Sequence, residues 1–224
     1  MRLPTRSGLV LAIAVAVVAM PTLASSALPL GTSAPTLVAA NSQTYQDSTG
    51  EDPAGPDITT IVVSNDDTGM LSFRVNVPNR PTLGQDMLFE VWVDSDNNPA
   101  TGSAEVGGAD YVMQLVRNEI SLFKWDGTDF TRRFGDPSAV TLVFTYQSGI
   151  TIRISANELG ATKAFRFFAV AITGLVIDPV TGDIDGTNSH SDVAPGGGVG
   201  LFPYTVNIAK PTLVVRRLKT TPAA

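Results

Sequence analysis

A chain of 224 residues with 43% hydrophobic composition has room for one sizeable core and for little more once a leader is removed. It contains no cysteine, which excludes disulfides, thiol nucleophiles, thiolate metal sites and a lipoprotein anchor together. With 21 acids against 15 Lys and Arg, a net charge of −6, it has no basic stripe to displace counterions from phosphate, so no nucleic-acid partner is expected.

The chain opens with Arg2 and Arg6, an uncharged apolar run over residues 9–20, and the small residues Ala24-Ser25-Ser26-Ala27. That order of basic, apolar and small-residue regions predicts a secretory signal peptide over residues 1–27. The run falls short of the ~20 apolar residues of a membrane span, so the expected product is secreted, with no membrane association after cleavage. The remaining chain would carry 13 bases against 21 acids, a charge of −8. Residues 28–44 are small, polar and broken by proline, the composition of a disordered spacer. Order is expected from Tyr45, a folded domain over 45–217, and a disordered tail over 218–224.

Within the domain, residues 46–57 gather acids, Gly and Pro in what reads as a solvated turn. A β-branched run at 58–64 and an alternating run at 70–77 flank Asn65-Asp66-Asp67-Thr68-Gly69 and predict an antiparallel hairpin. Strand three, 86–94, places Met87, Phe89, Val91 and Val93 on one face, expected to be core. Leu88, Glu90, Trp92 and Asp94 take the other. Further hairpins are expected from 111–116 with 120–125, and from 140–146 with 150–154. Residues 155–160 suggest one helical turn, 165–172 a long apolar strand, and 202–208 and 213–217 the closing strands. Many short strands with frequent turns and no sustained helical period indicate an all-β antiparallel sandwich of jelly-roll type.

Candidate chemistry centres on the loop after strand three. Asp94, Asp96 and Asn98 stand at positions 1, 3 and 5 of a calcium-loop register, Glu105 at position 12, and the Ala100 carbonyl at position 7. Such spacing lets oxygens converge on a hard cation. Pro99 occupies position 6, where an EF-hand needs glycine, and the flanks are strands, so another oxygen cage that includes Asp94, Asp96 and Asp110 is the alternative. Asx side chains also build turns by bonding their own backbone, which explains the same residues without an ion. The acids Asp178, Asp183, Asp185 and Asp192 form a second, less patterned loop. His190, the only histidine, cannot build a zinc site without help from carboxylates, and no Gly-x-Ser-x-Gly elbow accompanies it, so it reads as a surface loop residue.

Glu90 and Glu105 are the conceivable carboxylate pair for glycoside hydrolysis. Beside Trp92, Glu90 equally suits sugar binding, since an indole is a flat apolar platform and a carboxylate accepts from hydroxyls. Trp125 is the other aromatic placed to reach a ligand. Sheet covering is the alternative role for both tryptophans.

Asp57-Ile58, the hairpin stretch Asn65-Asp66-Asp67-Thr68-Gly69-Met70-Leu71-Ser72-Phe73-Arg74-Val75, and Asp86-Met87-Leu88-Phe89-Glu90-Val91-Trp92-Val93-Asp94 together resemble the β-sandwich superfamily of family 9 carbohydrate-binding modules and DOMON-like domains. The resemblance implies a sugar-binding domain with structural calcium. A clamp of two tryptophans would fall on Trp92 and Trp125. The expectation is a non-catalytic module that binds a polysaccharide or cell-surface glycan and is stabilised by calcium. The alternative is a structural or protein-interaction domain with no small-molecule ligand.

Overall fold

The computed structural model describes residues 41–132, 141–178, 183–196 and 200–208. The expected leader, the tail and the strand at 213–217 lie outside the described residues. No described segment is α-helical; one 3-10 turn, Ala104–Val106, interrupts a fold of strands. No helix is long and apolar enough to cross a membrane among the described residues.

Five strands form the first sheet: β1 (Asn41–Gln46), β2 (Thr60–Asn65), β3 (Met70–Asn76), β8 (Val143–Tyr146) and β9 (Gly149–Ser155), in the order β1-β2-β3-β9-β8. The second contains β4 (Leu88–Asp94), β5 (Tyr111–Val116), β6 (Glu119–Trp125), β7 (Phe130–Arg132), β10 (Ala164–Thr173) and β13 (His190–Ala194), in the order β13-β10-β4-β5-β6-β7. A further strand, β14 (Phe202–Thr205), pairs with residues 164–167 of β10, in line with β13 on residues 169–173. A small hairpin of β11 (Val176–Ile177) and β12 (Ile184–Asp185) stands apart. Every strand pairing among the described residues is antiparallel. The two larger sheets pack face to face as one sandwich, the expected fold class.

Alternation explains the packing. In β3, Leu71, Phe73 and Val75 are buried between the sheets while Ser72, Arg74 and Asn76 turn outward. Phe73 meets Phe165 at 5.7 Å and Phe167 at 5.6 Å between ring centroids, and Tyr45 meets Phe167 at 5.2 Å edge-on. Each such ring contributes roughly 1.5–3 kcal/mol by leaving water. Asn65, also buried, ties the sheets at one end: its amide donates to the Asn207 carbonyl at 2.7 Å and its oxygen accepts from the Tyr204 hydroxyl at 2.8 Å. The β8–β9 turn requires Gly149, whose φ is +128° and whose absent Cβ would lie 2.1 Å from the Val75 carbonyl oxygen.

β4 departs from simple alternation. Met87, Phe89, Val91 and Val93 face the main core as expected, yet Leu88, Trp92 and Asp94 on the opposite face are buried as well. A second apolar cluster of Trp92, Ala109, Val112, Phe123 and Phe130 covers that outer face, joined by Val106 and Trp125. Ala109 and Val106 belong to the loop after β4, so this loop folds back over the sheet rather than projecting from it.

Three local expectations are corrected. Residues 41–44, inside the stretch read as spacer, belong to strand β1. Only Tyr45 of β1 is fully buried, so its pairing with β2, residue 41 opposite 65 through 46 opposite 60, holds a strand whose side chains give little apolar signal. Residues 156–160 are turns, closed by Glu158 N–H to Ser155 O at 2.9 Å and Leu159 N–H to Ala156 O at 3.2 Å, and not helix. His190 lies on β13, opposite Thr173, and not in a loop.

Candidate functional site

The acidic loop after β4 closes on itself. Asp94, Asp96 and Asp110 bring carboxylate oxygens within 4.8 Å of one another. Asp94 sits at the end of β4 with no exposed surface, because its strand is covered on both faces. Its Oδ2 accepts from Nε of Arg166 at 3.1 Å and from a terminal nitrogen of the same guanidinium; Arg166 stands directly opposite on β10. Asp94 Oδ1 and Asp96 Oδ1 share the Asn98 N–H at 3.0 and 2.9 Å. Asp110 Oδ2 accepts from the Ser95 N–H at 2.8 Å and its hydroxyl at 2.9 Å. Burial pushes the Asp94 carboxyl up, Arg166 and the Asn98 N–H pull it down, and the Asp96 carboxyl adds to the upward push.

The other two residues expected in this cage stand aside. Asn98 contributes its backbone N–H, while its side-chain oxygen accepts from Ala100 N at 3.2 Å, the Asx turn that competes with ligation. Glu105 is exposed on the 3-10 turn and is not part of the carboxylate group. Three carboxylates against one guanidinium leave a doubly negative, all-oxygen donor set. Their spacing matches that of oxygens on one calcium, which lie at most about 5 Å apart. Asp94, Asp96 and Asp110 therefore fit a calcium ion, and Arg166 supplies part of the compensation that Asp94 needs at any occupancy.

Glu90 and Trp92 form a unit on the outer face of β4. The indole N–H of Trp92 donates to Glu90 Oε2 at 2.8 Å, and the Gln114 amide donates to Oε1 at 2.8 Å. Burial raises the Glu90 pKa, with the Gln114 and Trp92 donors opposing it. Trp92 is only 3% exposed: it stacks parallel to Phe168 at 5.9 Å and meets Phe130 edge-on at 5.1 Å. Neither of its faces is open to a sugar ring. Trp125, half-buried and tilted against Phe130 at 5.1 Å, keeps some surface. The two tryptophans thus share one cluster through Phe130 without forming an open clamp.

Across the same face, strand registry lines up Val193, Val170, Glu90, Gln114 and Ser121 on five successive strands. Half-buried Phe168 and Ile172 flank Val170 along β10. Sequence reasoning placed Glu90 on this face but missed Gln114 and the β10 residues, since only the register of non-consecutive strands brings them together. A cleft of about 400 Å³ lies elsewhere, lined by residues that include Thr68, Asn157, Thr162 and Asn207.

The acids of the second loop do not come together: none of Asp178, Asp183 and Asp185 is grouped with Asp192. Asp185 accepts from the backbone N–H of Thr187 at 2.8 Å and from its hydroxyl, and residues 179–182 are outside the described residues. Asp192 instead joins Asp47 and Glu51. His190 Nδ1 lies 2.7 Å from Asp52 Oδ2, and that contact holds the Asp52 carboxyl below its usual range. The chain matches no protein-family model, no curated protein and no solved structure among those compared with it.

Proposed function

We propose that this chain is a secreted, non-catalytic β-sandwich module whose ligand is a polysaccharide or cell-surface glycan, bound on the outer face of the second sheet. The observation that carries the reading is the cross-strand row through Glu90 and Gln114, a hydrogen-bonded carboxylate and amide set between the apolar side chains of β10. A sugar ring offers an apolar C–H face and a rim of hydroxyls. Val170 and Phe168 suit the first, and Glu90, Gln114 and Ser121 suit the second as acceptors and donors. Trp125 remains at the margin of this face, while Trp92 supports it from within by holding Glu90.

Calcium belongs to this reading as a structural ion held by Asp94, Asp96 and Asp110. When bound it neutralises the clustered carboxylates. Ser95 and Thr162 then secure the loop from the protein side: the Thr162 hydroxyl donates to the Ser95 carbonyl at 2.6 Å. Secretion rests on the leader pattern of residues 1–27.

A glycan array probed with the folded protein, followed by Glu90→Gln, tests the ligand class. Saturable binding to a defined glycan, weakened tenfold or more by Glu90→Gln at unchanged melting temperature, is expected. An array blank at high micromolar protein would reject the sugar reading. The second reading, a protein-interaction domain without a small-molecule ligand, draws on the burial of Trp92 and on Val193, 40% exposed at the same row's end. A blank array would leave that reading in place.

A further inference from the structure

The cleft of about 400 Å³ lies where the β2–β3 turn, the residues after β9, the approach to β10 and the residues after β14 meet. A volume of that size falls within the range of small-ligand sites. Thr68, Asn157 and Asn207 give it polar walls, and Val206 with the largely exposed Ile208 gives it an apolar one. Among the described residues Lys163 is the one charged side chain in its lining, and no acid contributes. In a chain with 21 acids against 15 Lys and Arg, that sign of charge sets the cleft apart.

The polar groups of the cleft are uncommitted. The ion pairs among the described residues, Arg166 with Asp94 and His190 with Asp52, do not include Lys163. Asn157 N–H donates to the Ser155 hydroxyl at 3.3 Å and Asn207 N–H to Asn65 Oδ1 at 3.1 Å, so both are tied through the backbone and their carboxamides stay available. The nearest acids in sequence turn elsewhere. Asp66, 6% exposed, accepts from Thr68 N–H, the Thr68 hydroxyl and Met70 N–H. Glu158, 5% exposed, accepts from the N–H and hydroxyl of Thr141. Asp67 is exposed at the β2–β3 turn without lining the cleft.

Positive charge continues from the cleft along the outer face of the first sheet. Ser155 of the lining stands opposite Met70; two residues back on the same face of β9, Arg153 stands opposite Ser72, and Arg74 stands opposite Thr151. Arg153 and Arg74 are exposed diagonal neighbours, which places them ~7–8 Å apart. Ser42, Thr44, Ser64, Ser72 and Thr145 share their face, so the surface around them is flat and rich in hydroxyls. None of the five strands of this sheet contains an acid.

We infer that the cleft and the arginine-bearing face beside it form one site for an acidic polysaccharide, a uronic-acid chain whose end enters the cleft. Lys163 meets the carboxylate of the terminal sugar, the Asn157 and Asn207 carboxamides meet its hydroxyls, and Val206 and Ile208 meet the C–H face of its ring. Arg153 and Arg74 take carboxylates further along the chain, since a guanidinium fork matches a carboxylate with two parallel hydrogen bonds. Charge complementarity selects this occupant over a neutral glycan. The site lies on the sheet opposite Glu90, and it does not depend on the glycan reading of that other face.

The test is calorimetric titration of the purified full chain with trigalacturonate, its methyl ester and hexagalacturonate in low-salt buffer. The parent is compared with Lys163→Gln, with the Arg74→Gln/Arg153→Gln double variant, and with Lys124→Gln as a control for diffuse charge. All four positions are exposed, so each variant should fold, and its melting curve checks that it does. Saturable binding of trigalacturonate is expected, about tenfold or more weaker for the methyl ester and for Lys163→Gln. The double arginine variant should lose about tenfold for hexagalacturonate, and Lys124→Gln should stay within about twofold of the parent. No saturable binding of either acid would overturn the inference, as would equal affinity for the ester. Equal losses in Lys163→Gln and Lys124→Gln would overturn it too, since the attraction would then be diffuse. Binding of neutral array glycans alone, lost in Glu90→Gln, would sustain the reading of the second sheet and reject this one.

Discussion

Truncation of Trp92 separates a structural indole from a sugar platform. Trp92 is 3% exposed, packed against Phe168 and Phe130, and donates its N–H to Glu90. Trp92→Ala removes a buried aromatic, a loss of about 3–5 kcal/mol, and leaves Glu90 Oε2 without its donor, which adds roughly 1–2 kcal/mol. About 5 kcal/mol is a third or more of the stability of an ordinary domain. At roughly 2–4 °C per kcal/mol for a domain of this size, the midpoint should fall by about 10–15 °C or more. Trp92→Phe keeps an aromatic ring but loses the donor and the volume of the second ring, so it should cost less than the alanine change, about 2–3 kcal/mol. Thermal melting reads the fall in °C, and urea unfolding followed by circular dichroism reads the energies, with the urea midpoint shifting and the slope unchanged. If Trp92→Ala shifted the midpoint no more than a surface substitution while abolishing glycan binding, the burial argument for Trp92 would be refuted.

Further outcomes follow from the charges and the loop. Arg166→Ala strands the fully buried Asp94 carboxylate; with Arg166 itself partly in solvent the cost should sit near the lower end, about 3 kcal/mol, for a broken buried pair. Adding Asp94→Asn should recover much of it, and a double-mutant cycle by chemical denaturation checks both. In EDTA, Asp47, Glu90, Asp94 and Asp192, all raised, bind protons more tightly when folded. Their contribution is therefore present in acid and lost as pH rises through the raised values. Asp86, lowered by the Gly174 N–H and the Thr173 hydroxyl, acts oppositely and loses its contribution as pH falls through its folded value. Melting temperature in EDTA should thus pass through a maximum, falling on the acid side as the lowered carboxyls protonate and on the alkaline side as the raised ones ionise; a melting temperature that only rises with pH would contradict this. Gly102→Ala would put a Cβ 2.2 Å from the Gly108 carbonyl oxygen, so about 2 kcal/mol or more should be lost, visible as a lower midpoint.

Strands with clean alternation, such as β3 and the inner face of β4, were legible in sequence because one face alone meets the core. The outer face of β4 was not, since the cover over Trp92 comes from Ala109, Phe123 and Phe130 at distant positions. Asp94, Asp96 and Asp110 were found by loop spacing, and the same spacing misplaced Glu105, which the 3-10 turn carries to solvent. Arg166 and Gln114 carried no local signal: each becomes a partner only through the β4–β10 and β4–β5 registers. Likewise Asp47 and Asp192 stand 145 positions apart in sequence, and no spacing rule joins them. β1 escaped notice because its pairing, and not its side chains, makes it a strand.

The claim that the outer sheet is a recognition face is tested most directly by binding of one array-selected glycan to the parent and to Glu90→Gln, with melting temperature recorded for both. Recognition at this face requires at least a tenfold loss of affinity, about 1.4 kcal/mol, at equal thermal stability. Unchanged affinity in a folded Glu90→Gln protein would place the ligand elsewhere and contradict the claim.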